Sequence, residues 1–266
     1  MHLIEDDGVT ETSSVPQSHP PALAYFLTEP FRGALSLVSL PLAAPLLAHA
    51  PRGEGHGVLV LPGLMADDLS TRPLRRFLKL LGYDAHGWGL GRNVGPTSSI
   101  VAGMPRAVDV LAESTGKKVS VIGWSLGGIF ARELGRQDPE SIRQVITLAS
   151  PYGMRDSQQS RADIAFRARA RSHVPGGVPP RSTMRLPIPV PSTAVFSRSD
   201  GIVDWQACIE PASPTHENVE VRASHLGIGV DPAVMWLLAN RLAQPEDKWR
   251  PFEPPARFRV FFPVSS

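Results

Sequence analysis

The stretch KVSVIGWSLGGIFARELGRQ, residues 118–137, decides how the rest of the chain reads. Its opening, Val119 to Ile122, is a short apolar run of the kind that forms a strand buried on both faces of a parallel sheet. Its end, Leu126 to Gln137, has helical spacing. Between them stands Gly123-Trp124-Ser125-Leu126-Gly127, a G-x-S-x-G. That motif says little alone, but between a buried strand and a helix it describes a sharp turn with a serine at its apex. Gly123 and Gly127 relieve the crowding of such a turn, and Gly128 leaves room for the helix to pack on the strand. Ser125 falls at a helix N-terminus, whose dipole and free N–H groups favour negative charge. The competing reading is an ordinary strand-to-helix turn without chemistry.

Working outward, strands and helices alternate. VLVL (58–61) is a strand stopped by Pro62-Gly63, and Leu69–Leu81 a helix with Leu74, Phe77, Leu78 and Leu81 on one face, ended by Gly82. Tyr83–His86 reads as a strand, Gly87–Pro96 as a glycine-rich loop and Ser98–Ser114 as a helix. Gln144–Ala149, Thr193–Ser197 and Val219–Arg222 are further strands, and Asp231–Ala243 is a helix with Asp231 as cap and Pro232 in first position. This is a βαβα pattern, which predicts a mostly parallel sheet flanked by helices.

One segment interrupts it. Residues 151–191 hold seven arginines between Arg155 and Arg185 and the run PGGVPPRSTMRLPIPVP, too long for an ordinary connection. They read as an insertion over the carboxyl edge of the sheet, where open α/β sheets hold ligands. The chain thus divides into an N-terminal arm and apolar helical segment (1–57), a core (58–243) and a C-terminal tail (244–266).

In the first part, residues 1–21 read as a loose polar arm. Gly33–Ala50 is eighteen residues without an acid, Lys or Arg. It ends in Ala-His-Ala, like a signal-peptidase site, but follows an acidic start (Glu5, Asp6, Asp7, Glu11), and Pro41 and Pro45 interrupt it. The expectation is a helix packed on the domain in a cytoplasmic protein; export or membrane association is the alternative.

Composition narrows the classes. A net charge of +2, from 27 Lys+Arg against 25 Asp+Glu, gives no nucleic-acid signature. The single cysteine, Cys208, makes no disulfide and reads as buried and structural, and the eight histidines lack metal spacing, so no metal or other cofactor is expected.

With strand, serine turn and helix in place, the chain resembles the α/β-hydrolases of the lipase/esterase kind over roughly Val58 to Ala243. The resemblance implies the order nucleophile, acid, base, an oxyanion hole near the first core strand and a short cap before the acid. A serine hydroxyl needs a base, and the base an orienting carboxylate. In VFSRSDGIVDW, Asp200 and Asp204 compete for the acid; the S-D-G-I-V setting of Asp200 is similar to the family's. His225, in VEVRASHLGIGVDP, stands where the family places its base. His216 precedes its strand, His173 lies in the insertion, and His86 ends an earlier strand near the catalytic edge. Of the two oxyanion donors, one is the N–H of Leu126, and the other comes from the loop after VLVL. There Pro62-Gly63 replaces the family's common His-Gly, leaving the choice open between Leu64 and Met65. Trp124, Leu126, Leu64 and Met65 suggest an apolar acyl pocket, and Trp88, Arg92 and Asn93 are candidates to touch substrate.

The function expected is hydrolysis of a small carboxylic ester with an apolar acyl group, through an acyl-enzyme. An acyltransferase with the same triad, or a non-catalytic binding or scaffold protein on this fold, are the alternatives. The oligomeric state has no sequence signature.

Overall fold

The computed structural model describes residues 20–263. The polar arm expected at 1–21 therefore lies, up to residue 19, outside the described residues.

Six parallel strands form one sheet in the order β2-β1-β3-β4-β5-β6, with β1 Gly57–Leu61, β2 Asp84–Gly87, β3 Val119–Trp124, β4 Ile142–Leu148, β5 Ser192–Phe196 and β6 His216–Glu220. β6 begins earlier than its apolar residues suggest, because His216 and Glu217 pair in register with Ser192 and Thr193. Helices α2 (Asp68–Leu80), α3 (Ser98–Thr115), α4 (Leu126–Gln137) and α7 (Pro232–Leu242) cover the two faces. Asp231 caps α7 as the sequence suggests, accepting from Ala233 and Val234, and Asp67 caps α2, accepting from the Leu69 N–H. The core splits across the sheet. Val58, Val60, Ile122 and Ile146 point to the α2/α7 side, and Leu59, Leu61, Val121 and Val145 to the α3/α4 side, as the period of a strand requires.

Between β4 and β5 the insertion contains only short helices, α5 (Asp163–Arg167) and α6 (Arg181–Met184), with two single 3-10 turns. Its ends belong to the core: Tyr152, Met184, Ile188 and Val190 are buried in the α3/α4 cluster. Arg132 from α4 donates to the Leu186 carbonyl (2.9 Å), and His216 Nε2 lies 3.0 Å from the Ile188 carbonyl. Cys208 is buried beside Phe196 and Val203, as expected of a structural cysteine.

The N-terminal segment is a single helix, α1 (Leu23–Leu47), continuous through Pro30, Pro41 and Pro45. Its inner face packs on the domain. Leu47 is buried, Leu40, Ala43 and Leu46 lie against the α2/α7 cluster, and Gly33 lets the backbone come close to Leu226 and Gly227. The C-terminal residues return to the same region, where Phe258 packs on Trp236 and Phe262 on Phe252.

Candidate active site

Ser125 stands between β3 and α4 with φ 53° and ψ −119°, one of three non-glycine residues with positive φ among the described residues. Left-handed backbone is costly for a residue with a Cβ and persists only where its surroundings enforce it. Three hydrogen bonds do so: the Ser125 N–H donates to the Leu148 carbonyl (2.8 Å), and its carbonyl accepts from the Gly128 N–H (2.9 Å) and the Ser150 hydroxyl (2.7 Å). The glycines are required by close approach. A Cβ on Gly127 would sit 2.5 Å from the Leu61 carbonyl oxygen, and one on Gly128 2.5 Å from Ser150 Oγ. The Ser125 hydroxyl makes no cap bond with α4.

The loop after β5 carries Asp200 and the loop after β6 carries His225, both buried. His225 Nδ1 lies 2.7 Å from Asp200 Oδ2, while Asp200 Oδ1 accepts from the N–H groups of Ile202 (2.7 Å) and Val203 (2.8 Å). A carboxylate can only accept, so Nδ1 carries the proton and Nε2 remains for the cavity. Burial by itself lowers the His225 pKa; the Asp200 charge and hydrogen bond, with a contribution from Glu29, outweigh it and leave the ring above its ordinary value. Asp204 is engaged elsewhere: its carboxylate accepts from Gln159 Nε2 (2.9 Å) and from the Gln206 N–H (3.1 Å).

The other histidines are apart from this cluster. His86 is exposed and pairs with Asp84, His173 meets the Val94 carbonyl, and His216 sits at the opposite end of the sheet against Glu210.

The loop after β1 is shaped by Asn93, fully buried. Its Nδ2 donates to the Pro62 carbonyl (2.8 Å), its N–H to the Ala66 carbonyl (2.8 Å), and its carbonyl accepts the Met65 N–H (2.7 Å). The Met65 donor is thus spent, and among the described residues the Leu64 N–H has no acceptor. Gly63 faces the Ser125 side chain directly. The Leu126 amide, in the first turn of α4, has no intrahelical acceptor either.

Two cavities meet at Ser125. One, of about 340 Å³, runs beneath the insertion past Leu126, Ile129, Phe166, Val178 and Met184. The other, of about 360 Å³, runs past Met65, Trp124, Ile202, His225 and Leu226. Leu64, Ser125 and Ala162 line both. The Trp124 indole donates to the His225 carbonyl (3.1 Å) and so fixes the histidine loop as well.

The expectation for the glycine-rich loop needs correction. Trp88 lines neither cavity. It is buried in the α3/α4 cluster, its indole N–H bound to the Gly91 carbonyl (2.9 Å) and its amide to Asp68, because an apolar ring packs inward when a core lies beneath it. Arg92 is exposed, and Asn93 shapes the neighbouring loop. The sequence reading also passed over Ser150, a residue with no motif of its own, and Glu29. Glu29 lies on α1 and is 1% exposed; its carboxylate accepts from the N–H groups of Gly201 (2.9 Å), His225 (3.0 Å) and Leu226 (2.9 Å). An acid isolated in an apolar helix was the only available signal.

No family model matches the chain. It is 29% identical over 143 residues, 50% of this chain and 46% of the relative, to mouse (Mus musculus) serine hydrolase BPHL. It is 29% identical over 119 residues, 40% and 45% respectively, to a pimeloyl-[acyl-carrier protein] methyl ester esterase of Nitrosomonas europaea. The chain spans about half the length of the curated relatives it matches. Among solved structures it superposes on the metagenome-derived lipolytic enzymes LipS and LipT with TM-score 0.54 and 16% identity, over 73% of this chain and 94% of that one. On Aspergillus fumigatus lipase B the TM-score is 0.54 at 17% identity, over 72% and 53%. A parallel six-stranded sheet, a strained serine at the β3–α4 turn and these superpositions together define the fold: the chain has the α/β-hydrolase fold.

Proposed function

We propose that the chain hydrolyses carboxylic esters through an acyl-enzyme on Ser125. The observation that carries this reading is a serine held at positive φ on a strand-to-helix turn, lining one cavity with a histidine whose Nδ1 is fixed by a buried carboxylate. His225 Nε2 takes the hydroxyl proton as Ser125 Oγ attacks the ester carbonyl. Asp200 holds the ring in the required tautomer and stabilises the imidazolium that forms. The Leu64 and Leu126 N–H groups receive the oxyanion. His225 then gives its proton to the leaving alkoxide. Water, deprotonated by the same nitrogen, attacks the acyl carbon, releasing the acid and restoring Ser125.

The two clefts favour an ester apolar on both sides of the reacting carbonyl. Their walls are mainly aliphatic and aromatic, with Asp163 and Arg181 on the insertion the charged members. The insertion would then act as the cap that shapes one cleft. The relatives named as serine hydrolase and methyl ester esterase support the reaction class. A fluorophosphonate probe tests the reading: intact mass gains one phosphonyl group on the wild type and none on Ser125→Ala. A wild type that stays unlabelled, or an alanine variant labelled equally, removes Ser125 from this role.

A further inference from the structure

We infer that Glu29, on a helix outside the alternating core, is a positioning residue that fixes the loops carrying Asp200 and His225 in register. This deepens the ester-hydrolase reading and rests on it. The carboxylate reaches across 172 residues of sequence to Gly201 and across 196 and 197 residues to His225 and Leu226. Arg32, one turn further along α1, donates to the Ser199 carbonyl (2.9 Å) and hydroxyl (3.0 Å). Helix α1 therefore holds the residues on either side of Asp200 with one acid and one base, and holds the backbone of His225 with the same acid.

The energetics argue that the arrangement is specific. A buried carboxylate is costly unless compensated. Its nearest cation, Arg32, stands 3.8 Å away and is itself occupied with Ser199. The three backbone N–H groups provide the main compensation, and those groups lie only in the two loops that carry the acid and the base. A helix needed merely as cover could be held by apolar contacts alone. Glu29 also brings negative charge close to the imidazole. The charges that bear on His225 are those of Asp200 and Glu29, with Arg32 facing Glu29 from α1 and Asp204 engaged with Gln159.

Glu29→Gln keeps the shape, removes the charge and points an NH2 at a backbone donor. The expected result is a kcat lowered by about ten- to a hundredfold with KM nearly unchanged, as for a small misplacement of reacting groups. The His225 imidazole, followed by NMR, should titrate at lower pH than in the wild type. Glu29→Asp keeps the charge on a shorter arm, so it should lose kcat while titrating close to wild type. Thermal melts identify any variant that fails to fold. A folded Glu29→Gln with wild-type kcat and an unmoved titration overturns the inference. The titration is independent of turnover, so it still decides the matter if Ser125 proves not to be the nucleophile.

The outer face of the same helix carries a second, independent inference: we propose that it seats on an anionic lipid surface. Leu23, Leu27, Phe31, Leu35, Val38 and Leu42 recur every three or four residues, and each is more than half exposed. That spacing draws one stripe along a helix of about 37 Å, and no charged residue interrupts it. An 18-residue window of α1 has mean hydropathy 1.3 with only 11% buried. The opposite face is fastened by Glu29 and Gly33, so the stripe has no route into this core, and the helix lies along the domain rather than apart from it. At its C-terminal end the stripe continues onto the exposed Phe261, which shares a cavity wall with Leu42, and Arg257 and Arg259 are exposed in the same turn. Apolar ridge beside cations is the pattern of an interfacial helix on anionic lipid.

Sedimentation of the full chain with phosphatidylcholine vesicles, with and without one-quarter phosphatidylglycerol, is the test. The wild type should pellet with the anionic vesicles. Phe31→Ser/Val38→Ser/Leu42→Ser should reduce binding by about tenfold or more, and Arg257→Glu/Arg259→Glu should abolish the preference for anionic lipid. A wild type that stays in the supernatant overturns the proposal, as does a triple variant that pellets equally. A wild-type dimer that the triple variant dissociates, with no vesicle binding, would assign the stripe to a second copy instead.

Discussion

His225 and Asp200 meet at 2.7 Å between Nδ1 and Oδ2, and the second Asp200 oxygen is closed off by two backbone N–H groups. The carboxylate therefore has one orientation, and the imidazole one tautomer. Asp200→Asn should lower kcat by about 10⁴, since an amide can present its NH2 to Nδ1 and stabilise the wrong tautomer. Asp204→Asn, which disturbs only contacts to Gln159 and Gln206, should stay within a few-fold of wild type. Steady-state kinetics on a p-nitrophenyl ester compare the two, and the reverse ranking would transfer the acid to Asp204.

The pH profile follows from the same pair. Only neutral imidazole accepts the serine proton, so kcat/KM should rise with pH through the His225 ionisation. Burial pulls that ionisation down, but Asp200 and Glu29 pull it up by more, so the midpoint should lie above 6.5. In Asp200→Asn the residual activity should show its midpoint at lower pH. A flat profile over the range where the protein stays folded would contradict His225 as the base.

Asn93 supplies a test of the oxyanion loop. Asn93→Ala removes the side-chain bond to the Pro62 carbonyl and leaves that buried oxygen without its donor. The expected costs are about 1–3 kcal/mol of stability and a fall in kcat exceeding any change in KM, because the Leu64 N–H loses its aim. Urea melts and kinetics on the same preparation separate the two effects.

Stability should depend on Glu210. It is buried between Arg132 and His216, its carboxylate ion-paired with the Arg132 guanidinium and 2.9 Å from His216 Nδ1. Burial alone would raise its pKa, yet the His216 hydrogen bond and the Arg132 charge bring it down to about 2 from 4.5. Its folded value is depressed, so its contribution is complete above 4.5 and is lost as pH falls toward 2. Glu210→Ala should cost about 3–5 kcal/mol at neutral pH by leaving Arg132 buried without its partner, and should flatten the acid limb of a stability–pH curve.

The cleft beneath the insertion should set acyl preference. Val178→Trp fills space between Ser125 and the cap. It should reduce kcat/KM for decanoate esters by about tenfold or more while sparing acetate. Equal effects on both would place the acyl chain in the other cleft.

Local chemistry alone determined the alternating strands and helices, the Asp231 cap of α7, and the turn at Ser125. Those features depend on residues within a turn of one another, so their spacing in the sequence records them. The resemblance to the α/β-hydrolases, read over that pattern, favoured Asp200 over Asp204 as the acid and brought out His225. The tertiary structure decided what depends on distant neighbours. Asp200 rather than Asp204 meets the histidine because the loop after β5 turns its side chain toward β6. Leu64 rather than Met65 keeps a free amide because Asn93, about thirty residues away, takes the other. Trp88, just past the end of β2, faces the core rather than the cleft because the apolar α3/α4 cluster lies beneath its loop and the Gly91 carbonyl and Asp68 hold it there. Glu29 has no motif at all: its role exists only where three amides from two remote loops converge on one carboxylate, and nothing in the order of residues near position 29 encodes that meeting.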